Sequence, residues 1–331
     1  MSKSTTPLSA KASAKAALLV LALIPFVLGG CPKVKTTTHL PEAEVKPLQT
    51  ATLEELLEQL REQAEAVHTV NAVTELIPST GSAYSGVIEE YHDIRAFVLA
   101  ERNHETGQQI RLIGQAPVVR RTVFDMVADL TGFRINIPPK NKFIIGSNRV
   151  AHRSDKPIEN LRPQHLFEAF LPTPPQPVSL TTQNYLEENE FGGRRFYIVT
   201  EISAVENPAT NGALHIARKW WFDRTDLSLV RVQRFDNGGR LQTDIHYGDW
   251  RPAGETRYPH RIEVSRPHDD YRLKLLIKEL TLNGPLGPKK FRLEQPAGVE
   301  LIDLDELARK KAAEEKEEFP GPPAATTGAK E

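Results

Sequence analysis

The 331-residue chain has one cysteine, Cys31. It forms no internal disulfide, and apart from that residue it offers no thiolate nucleophile or cysteine metal ligand. Net charge is also scarce: 42 basic against 43 acidic residues, interleaved along the chain. That pattern lacks the basic stripe nucleic acid requires. Neither a Gly-x-Ser-x-Gly elbow nor a His-Glu-x-x-His pair occurs. The ten histidines are scattered, and none pairs at ligand spacing within an expected helix. Asp269–Asp270 and Asp303/Asp305 fall in polar turns or helix starts, so they read as caps rather than acid–base pairs. "FGGRR", Phe191 to Arg195, lacks the strand–loop–helix setting of a phosphate loop and reads as a hairpin turn. These absences leave no catalytic residue, metal site or cofactor to assign, and the chain is read as a non-enzyme. Long hydrophobic runs are missing too. The main one, Ala16 to Leu28, is too short for a good membrane span.

That run is placed tellingly. Lys3, Lys11 and Lys15 precede it, and Leu28-Gly29-Gly30-Cys31 follows. Charged start, apolar stretch, small residues and cysteine occur in the order of a secretory signal. The last four residues resemble the lipobox of bacterial lipoproteins. That resemblance implies cleavage before Cys31 and acylation of its thiol and new amine. Each buried methylene contributes about 0.8 kcal/mol of membrane affinity, so two or three chains anchor a domain that one would not. Pro32 follows the cysteine rather than the aspartate of inner-membrane retention. The expected location is the outer membrane, lipid-anchored and facing the periplasm.

Residues 1–30 are thus expected to be the signal, and 31–51 a lipidated cysteine plus tether rich in Pro, Lys, Thr and Glu. A folded domain is expected over 52–307 and a charged, Pro-rich tail over 308–331, where 309–318 could form a solvated helix. A hydrophobic fraction of 39% suffices for one large core or two modest ones.

Within the domain the clearest helix is "TLEELLEQLREQAEAV". Leu53, Leu56, Leu57, Leu60, Ala64 and Val67 form one stripe, and Thr52 with Glu55 makes a capping box. Strands follow: "DIRAFVLAE", "QQIRLIGQ", then three more between Val118 and Gly146. "RPQHLFEAFLP" predicts a short helix with Leu166, Phe167 and Phe170 on one side. Beyond it, seven strands are expected, from "RRFYIVTEIS" to "FRLEQ" (Phe291 to Gln295), with "FDNGGRL" the strongest hairpin turn. No helix separates these strands, so the sheet is antiparallel. Two helices are few for its dry face. Either the sheet curls on itself or part of that face is left for a ligand.

The succession of an amphipathic helix, a strand meander, "FDMVADLTGFRINIPPKNKFIIG", "LRPQHLFEAFLP", "DIHYGDW", "YPHRIEVS" and "LTLNGPLGPKKFRLEQPAGVELIDL" resembles the LolA/LolB superfamily of lipoprotein carriers and receptors. The resemblance covers most of Thr52 to Leu304. It implies an α+β, mainly β fold: an incomplete antiparallel β-barrel of about eleven strands, closed by helices, whose hollow takes acyl chains. It also implies a lid-locking arginine, which the sequence alone does not place, and a loop with an exposed apolar residue. The early hairpin "RNHETGQQ" offers nothing apolar at its tip.

The inward face is expected to include Phe97, Leu99, Ile110, Leu112, Phe133, Ile135, Phe143, Ile145, Ile198, Ile216, Trp220, Leu273 and Leu275. Trp220 and Trp221 lie on opposite faces of a strand. The implied partners are the membrane, through Cys31, the acyl chains of lipids or lipoproteins, and a periplasmic carrier protein. A competing reading keeps the half-barrel as an envelope scaffold without transfer. Arg120–Arg121, Arg194–Arg195 and Arg218–Lys219 are basic doublets that could meet anionic headgroups or simply face solvent.

Overall fold

The computed structural model describes residues 47–82, 87–90, 93–103, 107–148, 162–204 and 213–318. The expected signal, Cys31, most of the tether, the tip of the early hairpin at 104–106 and the end of the tail lie outside them. Leu48–Glu331 is one compact unit.

Helix α1 (Leu53–Ala66) starts where expected. Thr52 Oγ1 accepts the Glu55 amide, and the Glu55 carboxylate accepts the Thr52 amide, completing the capping box. It buries Leu56, Leu57, Leu60 and Ala64, at roughly 2 kcal/mol per fully buried leucine. Strands β1 (Thr69–Ser82), β2 (Val87–Glu90), β3 (Ile94–Asn103), β4 (Gly107–Gln115), β5 (Thr122–Ala128), β6 (Gly132–Ile137) and β7 (Lys142–Ser147) follow, then α2 (Gln164–Phe170). The second half holds β8 (Thr182–Phe191), β9 (Arg194–Ala204), β10 (Leu214–Asp223), β11 (Leu229–Phe235), β12 (Leu241–Ala253), β13 (Thr256–Arg266) and β14 (Tyr271–Leu282). Strand β15 (Glu300–Asp303) and helix α3 (Leu304–Glu318) close the chain.

The described strands form one open sheet of fifteen, in the order β15-β7-β6-β5-β4-β3-β1-β14-β13-β12-β11-β10-β9-β8, with β2 also on β1. Expectation and structure differ in three ways. The strands exceed eleven. A third helix, α3, spans the 307/308 boundary, its start capped by the Asp303 carboxylate. And "FRLEQ" is no strand: Pro288–Phe291 is a 3-10 turn, and the chain re-enters the sheet at β15, parallel to β7. All other pairings are antiparallel.

The segment between β14 and β15 passes behind the sheet, where Arg111 Nη1 donates to Lys290 O at 2.7 Å. Arg111 is held there by a bidentate pair with Asp125. Phe291 is buried against this back face outside the main core.

Both hairpin expectations hold. Asp236 Oδ1 accepts the Gly238 and Arg240 amides in the β11–β12 turn. Gly192 and Gly193 take φ of 59° and 73° in the β8–β9 turn, where a side chain would be strained.

The core lies on one face. Register puts Val199, Trp220, Val232, Ile245, Val264 and Leu273 in one row across β9 to β14, and Val98, Leu112, Met126, Ile135 and Ile144 in another across β3 to β7. Helices α1 and α2 pack on this same face. Helix α2 touches both β4 and β13, which β3, β1 and β14 separate. Four strand spacings of about 4.8 Å make a flat distance of roughly 19 Å. A helix is only about 10 Å across, so the sheet curls around α2.

Candidate ligand cleft and its helical lids

Two helices cover the concave face, and side chains of the sheet hold their carbonyl ends. The last four carbonyls of any helix lack intrahelical donors. For α1, Arg102 Nη1 donates to Ala64 O at 3.0 Å and Asn283 Nδ2 to Ala66 O at 2.7 Å. For α2, Tyr247 donates to Glu168 O at 3.3 Å and Tyr258 to Phe170 O at 2.8 Å. Arg102 Nη2 then reaches Leu171 O and Pro172 O, both at 2.8 Å. One guanidinium on β3 thus clasps the ends of both lids. It carries a further contact, 5.9 Å from the Phe167 ring centroid. Burial lowers the Arg102 pKa and Glu168 opposes it. Burial raises the pKa of Tyr258, as of Tyr247, so both stay donors.

The other side of α2 carries charge into the core. The Glu168 carboxylate lies 3.2 Å from Arg234 Nη1 and 3.7 Å from Arg218 Nη2. Burial would raise its pKa; Arg234 and Arg218 reverse this and hold it below the ordinary carboxylate value. Arg218 also faces the buried Glu201 at 3.9 Å. His165 Nδ1 sits 3.1 Å from Tyr271 Oη. Burial first, then Arg266, Arg162 and Arg234, keep that imidazole well below its usual pKa, so it stays neutral.

Among the described residues, one void beneath α2 is small. The void among Gln63, Ala169, Phe170, Leu229, Tyr247, Trp250 and Tyr258 is about 10 Å³. The room lies outside, in a cleft of about 920 Å³ between α1, the β10–β11 loop, the β12–β13 hairpin and the end of β14. This is within the ~300–1,000 Å³ usual for ligand sites. Leu227, Leu229, Trp250, Leu280 and Leu282 give it apolar wall, and Gln59, Glu62, Asp226, Glu255 and Arg257 a polar rim. Gln63 Oε1, on the α1 side, is shielded without a hydrogen-bond partner. Trp250 borders both cleft and void. Asp249 just before it takes φ of 54°, and the Trp250 ring lies 6.1 Å from that of Tyr247, its Nε1 donating to Leu229 O.

The thirteen residues expected on the inward face divide. Ile110, Leu112, Phe133, Ile135, Trp220, Leu273 and Leu275 lie in the concave core. Phe97, Leu99, Phe143, Ile145 and Ile198 face the other way, because their ladder partners do: Leu99 pairs with Arg111, Phe97 with Ile113, Phe143 with Asn136, Ile145 with Arg134, and Ile198 with Trp221. Ile216 joins them through a bulge between Ile216 and Arg218 that pairs it with Ile202. On β3 the inward residues are Ala96, Val98 and Ala100. Small side chains there, with Ala72 and Ala128, let the helices approach the sheet. The sequence reading preferred the larger apolar residues and so inverted the strand.

Trp220 and Trp221 divide as expected, Trp220 into the core and Trp221 to the back, edge-on to Phe196 at 5.7 Å. One exposed apolar turn is at β4–β5: Val118 is 90% exposed and Val119 71%, followed by Arg120–Arg121. Arg102, Tyr258, Trp250 and Glu168 were missed. Only their tertiary partners mark them, although Trp250 closes the quoted "DIHYGDW". Among the described residues no cluster of three His, Cys, Asp or Glu could hold a metal, and no helix is long and apolar enough to cross a membrane.

No family model matches the chain, and no curated protein does. Solved structures similar to it include a putative outer membrane lipoprotein-sorting protein domain from Vibrio parahaemolyticus, at 11% identity and TM-score 0.47, covering 72% of this chain and 94% of that one. A DUF1329 family protein from Desulfovibrio piger matches at 12% identity and TM-score 0.47, with the same coverage. A LolA superfamily protein from Nitrosomonas europaea matches at 11% identity and TM-score 0.44, covering 74% and 99%. Each of these similarities spans most of the length of the matched structure.

Proposed function

We propose that this chain binds the acyl chains of lipids or lipid-modified proteins, for their sorting or transfer, from a lipid anchor at Cys31 in the outer membrane facing the periplasm. The observation that carries the reading is the Arg102 clasp. The apolar concave face is covered by two helices whose ends meet at one side chain on one strand. Releasing that one side chain would free the ends of both helices, and the cleft beside α1 is where a chain would enter. Displaced lids would open the concave core, Ile110, Leu112, Leu273 and Leu275 included, to hydrocarbon. Burying a chain of about 16 carbons contributes roughly 12 kcal/mol toward offsetting the lost lid contacts. The Val118–Val119 turn with its two arginines suits transient contact with an anionic membrane surface.

One observation favours the scaffold reading instead: the void beneath α2 among Gln63, Phe170 and Trp250, about 10 Å³, holds no ligand as it stands. Extraction with organic solvent, without hydrolysis, separates the two. The carrier reading expects stoichiometric non-covalent fatty-acyl species in the mass spectrum of the purified chain. A clean extract from chain that also takes up no added fatty acid would leave only the scaffold.

A further inference from the structure

A groove of about 580 Å³ opens on the back of the sheet and meets the ligand cleft at a shared rim. Asp226, Ser228, Trp250 and Arg257 line both. Trp250 and Arg257 also border the small void under α2. Arg257 is therefore the cation at which all three spaces meet.

Most charges of the groove are occupied. Arg194 is paired with Asp223, and Arg231 forks onto Asp244 at 2.7 and 2.6 Å. Asp249 accepts both bonds of Arg251, at 2.9 and 2.6 Å. Asp226 accepts the amide and hydroxyl of Ser228. Arg257 and Arg261 are different. Arg257 makes a single long bond, Nη2 to Trp250 O at 3.4 Å. Arg261 stands 3.9 Å from Glu263 Oε1, beyond hydrogen-bond reach. Its guanidinium lies against Gly248, where a Cβ would come within 2.5 Å of it, so the glycine is what lets it rest on β12. Two guanidinium forks therefore stand loosely paired beside an apolar wall.

We propose that the ligand is an amphiphile with an oxyanion head, phosphate or carboxylate: its tail enters through the cleft past Leu227, Leu280 and Leu282 toward the concave face, and its head rests on Arg257 and Arg261. The guanidinium fork matches such a head bidentately, where a lysine would offer only a point charge. Trp250 stands between head and tail. This rests on the acyl-binding reading and adds the head group to it.

The test is a fluorescence titration of the full-length chain with dodecyl phosphate, dodecyl maltoside and inorganic phosphate, below micelle concentrations. Dodecyl phosphate should bind about tenfold or more tighter than dodecyl maltoside, the scale of one well-made charged hydrogen bond. The double variant Arg257→Ala/Arg261→Ala should erase that preference while keeping the maltoside affinity, and Arg257→Lys should lose part of it. Equal affinities in the parent chain, or a preference that survives the double variant, would overturn the head-group assignment while leaving acyl binding intact. Inorganic phosphate binding as tightly as dodecyl phosphate would make the site one for a free oxyanion and overturn the amphiphile. If neither amphiphile binds, the acyl-binding reading itself fails.

Discussion

Replacing Arg102 with alanine is expected to free α2 and to cost about 3 kcal/mol of stability. Its guanidinium makes three bonds, to Ala64 O, Leu171 O and Pro172 O. A charged hydrogen bond contributes about 1.5–3 kcal/mol, but three on one side chain are not additive and this one is partly solvated. The loss takes the side-chain donor from carbonyls at two helix ends, and water replaces it only in part. The effect should therefore be local first. The Leu171 amide, which donates to Phe167 O, should exchange about 100-fold faster, since 1.4 kcal/mol is tenfold. Amides in β12 and β13 should follow the global change alone. Arg102→Lys should rescue little, because an ammonium cannot reach both helix ends at once. Hydrogen exchange with a parallel urea titration measures both parts. Uniform acceleration across the sheet would mean that Arg102 supports the fold as a whole and is no lid clasp.

Replacing Glu168 with alanine should be comparably severe. Its carboxylate is the buried counter-charge for Arg218 and Arg234. Breaking one partner out of a buried pair typically costs 3–5 kcal/mol, because the remaining charge is left in a poor solvent. Here Arg234 is 47% exposed and can turn to water, and Arg218 keeps Glu201 at 3.9 Å, so about 3 kcal/mol is expected. Glu168→Gln should cost somewhat less, since the amide oxygen still accepts from one guanidinium, although its NH2 group then faces the other. A double-mutant cycle with Arg234→Ala, read by urea unfolding, isolates the pair. Its coupling should exceed about 1 kcal/mol, above the level of exposed pairs. A coupling near zero would place Glu168 among ordinary surface charges.

How much of this was legible in the sequence depends on what each element rests upon. The start of α1 was legible because Thr52, Glu55 and the leucine stripe are local chemistry. Strands β3 to β7, the turns at Asp236–Gly239 and Gly192–Gly193, and α2 were legible for the same reason. Strand β1 was not. Its buried side chains include Thr74 and Thr80 beside Val70, Ala72 and Leu76, so hydropathy does not alternate. Pro78 breaks the pattern further, and it falls between the end of β3 pairing at Leu76 and the start of β2 pairing at Ser79. Strand β8 is an edge rich in Glu and Asn, and β15 joins β7 only because a strap behind the sheet delivers it there. No local pattern encodes either.

The site follows the same division. Seven of the thirteen residues expected inward lie in the concave core, but on β3 and β7 both faces carry apolar side chains. Which face is inward is decided by the helices above, which favour alanine beneath them. The clasp of Arg102 and the pair at Glu168 join residues far apart in the chain, and a single sequence gives no sign of them.

The central claim is that hydrocarbon replaces α2 on the concave sheet. Amide exchange at Leu166 to Leu171, with and without saturating dodecyl phosphate, tests it most directly. The account predicts faster exchange in α2 when ligand is bound, with the sheet strands protected as before. Unchanged or slower exchange in α2, with ligand demonstrably bound, would contradict it.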